Sequence, residues 1–184
     1  LERATARPEG EAVRLNRLGE LRVQQGRPGE AAGLFEQALA ANPELPGPTF
    51  NLAVLAEEAG DEARAVELYE RAIARAPKHY QAQFNLGRLY GRRGDAGRQR
   101  ALWEAAIESN PDFVRGYYYL AKLLMDEGRE LARAEELART GIARDVTGQG
   151  GPLGWFVLAD LLNRRGRTAE AQEAAAKGRA LQGR

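Results

Sequence analysis

The chain has no cysteine and a single histidine in 184 residues. Without cysteine there is no disulfide, no thiolate metal ligand and no cysteine nucleophile, and the redox character of its compartment leaves no mark on the sequence. His79 would have to hold zinc with carboxylates alone, and it falls in an expected loop between Lys78 and Tyr80. Ser109, the one serine, falls at an expected helix end, so a serine-histidine hydrolase arrangement is not indicated. Neither catalysis nor a metal or other cofactor is expected. Long apolar runs are also lacking. No stretch approaches the roughly 18 consecutive apolar residues of a membrane span, so membrane insertion is not expected.

Charge of one sign is not in excess. Lys and Arg number 27 against 26 Asp and Glu, a net charge of +1, which supplies no global field for nucleic acid or an anionic surface. Two basic clusters stand out, Arg92, Arg93, Arg98 and Arg100, and then Arg164, Arg165 and Arg167. Without the surplus positive charge typical of nucleic-acid binders they read as solvated turn residues. Lysine is scarce beside arginine and alanine, a bias of GC-rich coding sequence that fits a bacterial source, in cytoplasm or periplasm.

What the chain does have is a period. Gly26, Gly60, Gly94 and Gly128 lie 34 residues apart, as do Pro43, Pro77 and Pro111, and Leu18, Leu52, Leu86 and Leu120. Each of those leucines precedes a small residue, Gly19, Ala53, Gly87 or Ala121. Within each unit the apolar residues recur at helical spacing, the glycine falls between two such stretches and the proline follows the second, so each unit predicts a helix hairpin. Small residues at Gly19 and Ala31, or Ala53 and Ala65, allow two helices to approach, with Phe35, Tyr69 and Trp103 filling the space beside them.

This pattern resembles the tetratricopeptide repeat (TPR) family, whose 34-residue unit carries the same sequence of leucine, small residue, turn glycine, alanine, aromatic, alanine and proline. The resemblance implies an all-α, right-handed superhelical solenoid of antiparallel helix hairpins. The expected boundaries are residues 12–45, 46–79, 80–113 and 114–148 for the first four repeats, a glycine-rich bridge at 149–151, and a fifth repeat with its cap at 152–184. The opening LERATARP echoes YERAIARAP sixty-eight residues later, so residues 1–11 read as the end of an earlier repeat's second helix, cut from something longer.

Three departures are visible. Gln99 replaces the small residue of Ala31 and Ala65, predicting looser packing of the third hairpin. Repeat four carries an extra residue after Gly128, moving its alanine to Ala134. Val146 stands where a proline should close that repeat, followed by TGQGGP, which lacks the ending of a phosphate loop and reads as an elongated connection.

In this family the first helices line a concave groove. Carried over position by position, the groove residues would be Asn16, Phe50, Phe84, Tyr118 and Phe156 at position 5, Asn51, Asn85 and Tyr119 at position 6, and Glu20, Val54, Arg88 and Lys122 at position 9, with Arg115 at position 2. The aromatic ladder would receive side chains of an extended peptide, and the asparagine amides would bond its backbone. Glu20, Glu57 and Glu58 make the early repeats acidic and Arg88, Arg92, Arg115 and Lys122 the later ones basic, so an acidic segment or a free C-terminus is the expected partner chemistry. The two-carboxylate clamp of chaperone-binding members is not matched; in its first register only Asn51 fits. The resemblance therefore implies a non-catalytic scaffold for another protein. Alternatives are the C-terminal recruitment or self-association array of a larger enzyme, and a homo-oligomer formed by stacked ends.

Overall fold

The computed structural model describes residues 8–146, 148 and 150–182. These residues form ten α-helices, and no strand occurs among them. The chain falls into two compact units, residues 1–89 and 90–184, divided within α5 (Tyr80–Arg92).

The first unit pairs α1 (Pro8–Gln24) with α2 (Pro28–Ala41) and α3 (Pro46–Glu58) with α4 (Glu62–Arg75), and α2 rests on α3. Proline opens α2 and α3, where its missing N–H costs nothing. Gly26 and Gly60 end the preceding helices at φ 71° and 80°, the left-handed region that glycine enters without strain. The Asp61 side chain caps α4 by accepting from the Arg64 N–H at 3.1 Å. Between α1 and α2, a Cβ at Gly19 would overlap the Phe35 ring. Ala31, Phe35 and Ala38 are fully buried there. Glycine on one helix thus makes the hole that the aromatic of the next fills. Residues 8–11 run on into α1; residues 1–7 of the expected leading segment lie outside the described residues.

The second unit contains the end of α5, then α6 (Ala96–Ser109), α7 (Val114–Asp126), α8 (Leu131–Arg144), α9 (Leu153–Arg164) and α10 (Thr168–Gln182). Hairpins α7/α8 and α9/α10 pack through α8 against α9, over a core of Leu124, Ala134, Ala138, Leu158, Leu161 and Leu162. The polar Gln99 is matched across its hairpin by Gly91, where a Cβ would collide with the Gln99 amide. The expected looseness is therefore met by a reciprocal exchange of large for small. The extra residue of repeat four is absorbed at Glu130, which takes φ 51° as the residue before α8, and Ala134 still reaches the core.

The basic clusters are not merely solvated. Arg100 on α6 bridges Glu104 at 3.2 Å and Glu130 at 2.7 Å, while Arg165 and Arg167 close on Glu135 of α8. Arg164 donates to the Met125 carbonyl at 2.6 Å, and Arg98 lies over the Tyr90 ring. Arg100, Arg164, Arg165 and Arg167 join one hairpin to the next, whereas Arg98 braces its own.

Candidate functional site

In residues 8–89 the first helices bring several of the expected groove residues together. Asn16 donates through Nδ2 to Glu20 Oε1 at 2.8 Å. One repeat later, Asn51 Nδ2 donates to Asn16 Oδ1 at 3.0 Å and to Glu20 Oε1 at 3.3 Å. Beside this cluster lies a hollow of about 220 Å³, lined by Glu20, Val23, Gln24, Phe35, Asn51, Val54 and Leu55. Two polar groups line it: the exposed Glu20 carboxylate and the Asn51 amide, whose oxygen is not used by the Asn16–Glu20 cluster. Val23, Gln24 and Leu55 were not among the groove residues read from the sequence, and Phe35 was assigned to the hairpin interior. Val23 and Gln24 stand at repeat positions 12 and 13, one turn on from Glu20, and that spacing would have found them.

A second cluster joins α3, α4 and α5. The Tyr69 hydroxyl donates to Glu57 Oε2 at 3.1 Å and accepts from Asn85 Nδ2 at 3.1 Å. Burial, reinforced by the Glu57 charge, pushes the Tyr69 phenol far above its ordinary range, so it stays a neutral donor. Arg88 pairs with Glu57, whose side chain is only 13% exposed. Arg88 is thus neutralised in place, which removes it from the expected basic half of the groove. Phe50 packs against Tyr69 at 5.9 Å and His79 at 4.7 Å between ring centroids. His79 Nδ1 accepts from the Ala82 N–H at 3.4 Å at the start of α5, and burial lowers its pKa. Phe84 is half-buried and engaged in further contacts.

In residues 90–182 the expected ladder changes character. Tyr118 is only 1% exposed. Its ring lies where a Cβ at Gly141, Gly150 or Gly154 would stand, 2.5 Å from Tyr118 carbons at the last two. It is therefore an enclosed packing residue and not an open groove aromatic, and burial followed by the Asp145 charge pushes its phenol up. TGQGGP accordingly does more than lengthen a connection. Gly150 leaves room for the Tyr118 ring and donates its N–H to Asp145 Oδ2 at 3.0 Å. Tyr119 stays half-buried, edge-on to Trp103 at 5.7 Å, and Phe156 is half-buried over Gly178. Lys122 is exposed but pairs with Asp126 at 2.9 Å. Arg115 is exposed and enters no ion pair among the described residues. No cluster of three metal-ligating side chains occurs among the described residues, and no described helix is long and apolar enough to cross a membrane.

The sequence and fold both have counterparts. No curated protein sequence matches the chain. Among solved structures, similar chains include MamA 41-end from Desulfovibrio magneticus RS-1, at 20% identity over 94% of this chain and 95% of that one, TM-score 0.73. TTC0263, a thermophilic TPR protein of Thermus thermophilus, is 24% identical over 92% and 91%, TM-score 0.63. YrrB, described as a TPR protein with an unusual peptide-binding site, is 14% identical over 93% and 86%, TM-score 0.71. At such identities the likeness speaks for the fold. The family model of the tetratricopeptide repeat matches residues 16–79, 50–112 and 84–145, most of the chain, and with the 34-residue period and the stacked hairpins this makes the chain a member of the tetratricopeptide repeat family, an interaction scaffold in type.

Proposed function

We propose that the chain is a non-catalytic scaffold that binds an extended peptide segment of another protein along the first helices of its hairpins. The observation that carries this reading is the hollow beside Asn51. It offers a partner an apolar seat on Val23, Val54 and Leu55, with an amide and a carboxylate at its edge. A peptide side chain in that seat would leave its backbone beside Asn51, whose amide can donate and accept. Glu20 would receive a backbone N–H or a cationic side chain. Of the cations expected to receive an acidic segment or free C-terminus, Arg88 and Lys122 already hold carboxylates.

The test is selection of linear peptides from a random library against the intact chain, followed by affinity measurement on Val54→Glu and Asn51→Ala variants whose helicity is unchanged. Selected peptides should share an apolar residue and lose about tenfold in affinity, about 1.4 kcal/mol, on either change. Peptides that bind both variants as well as the parent would overturn the assignment.

A further inference from the structure

The repeat allows the junctions between successive hairpins to be laid side by side: at one position two of them carry a charged residue, Arg100 or Glu135, where others carry Val66 or Ala32. Where α6 meets the α7/α8 hairpin, Arg100 reaches across with two separate nitrogens: Nε to Glu104 at 3.2 Å and Nη1 to Glu130 at 2.7 Å. Glu130 is the residue that precedes α8, and Arg133 completes the set by pairing with Glu104 at 2.8 Å. Where α8 meets the α9/α10 hairpin, Glu135 takes the place of Arg100, and Arg139, Arg165 and Arg167 surround it.

At the junction of α2 with the α3/α4 hairpin the corresponding residue is Ala32. Its surroundings are otherwise retained: Glu36 stands for Glu104, the capping Asp61 for Glu130 and Arg64 for Arg133. The floor is also shallower, since Ala56 replaces Leu124. The result is a hollow of about 310 Å³ lined by Ala32, Leu52, Leu55 and Ala56 and bordered by Glu36, Asp61 and Arg64. Arg64 does not fill it, being 58% exposed and only 3.9 Å from Glu36. Asp61 uses one oxygen, Oδ1, to cap α4, which leaves the other for a ligand.

We propose that this hollow is a receptor for an arginine side chain presented by a partner protein. The stem would lie on Leu52, Leu55 and Ala56, and the guanidinium would join Glu36 to Asp61 as Arg100 joins Glu104 to Glu130. The border carries two carboxylates against one guanidinium, so a cation is favoured. A planar fork with several donors can reach both acids at once, whereas the single nitrogen of lysine cannot span them in the same way. The hollow shares only Leu55 with the peptide seat beside Asn51, so it stands or falls independently of that reading.

The experiment is a titration of the isotopically labelled chain, followed by NMR, with N-acetyl-arginine methylamide and, separately, its lysine counterpart. Arginine should give saturable shifts at Ala32, Ala56, Ala59 and Asp61 with a millimolar dissociation constant, at least about fivefold tighter than lysine. Ala32→Arg, which supplies the missing side chain internally, should abolish them. Glu36→Gln, which leaves the packing intact, should weaken them about tenfold. No saturable response to arginine, an equal response to lysine, or shifts that survive Ala32→Arg would each overturn the proposal.

Discussion

Phe50 and Tyr118 occupy the same position of the repeat, yet one is half-buried and the other is enclosed. The difference lies in what faces them. On the second helix of the hairpin, residues 8–89 offer Ala72 at the place where residues 90–182 offer Gly141, and Gly150 and Gly154 then enlarge the space around Tyr118. Removing methyl groups from the neighbours makes room for the aromatic within the core. A repeat position therefore sets where a side chain starts, while its neighbours set whether a ligand can reach it.

The comparison can be broken from either side. The largest effect is expected for Gly141→Val, which forces a branched side chain against Tyr118 and should cost about 3 kcal/mol in denaturant unfolding. Ala72→Gly at the equivalent site should cost about 2 kcal/mol, from helix propensity and the loss of one buried methyl. If the two lose equal stability, the Tyr118 enclosure is not what distinguishes the units.

A smaller effect concerns Glu135. Burial alone would raise its pKa, but hydrogen bonds and charge from Arg139 and Arg167 outweigh this and hold it below the ordinary carboxylate value. With the folded pKa depressed, its stabilisation is present above the ordinary value of about 4.3 and is lost as pH falls through the folded value. Glu135→Gln should therefore lower the melting temperature at neutral pH, and its difference from the parent should shrink on acidification below about pH 4.

The smallest effect is at His79. Its folded pKa is lowered by burial, so the unfolded chain binds the proton more readily. Stability is full above about pH 6.5 and declines as pH falls from there toward the folded value. His79→Gln should flatten the melting temperature over that interval, and a parent chain already flat there would refute the assignment.

Much of the fold could be read from spacing because the signals are local. The turn glycines adopt positive φ, and the aromatics at Phe35 and Tyr69 are buried among small residues. The enclosure of Tyr118 was not read, because the period assigns it the same environment as Phe50 and the three glycines that distinguish it do not follow the period. The pairing of Arg88 was not read either, since single-residue positions say nothing about partners one repeat away. A signal did exist. The ion pairs linking hairpins recur near one repeat in separation, 31 residues for Glu57 and Arg88 and 30 for Glu135 and Arg165. Opposite charges at that distance mark the junctions. The hollow beside Arg64 was beyond reach, because it is a volume left by Ala32 and Ala56 and not a residue.

Glu130 has one more consequence. A single residue added inside an α-helix would rotate everything downstream by about 100° and turn the apolar face to solvent. Placed in the turn, the same addition is absorbed by one backbone conformation at φ 51°, and Ala134 and Ala138 arrive in the core as if nothing had been inserted. Such a turn works as an expansion joint: here the chain can change length without changing its register.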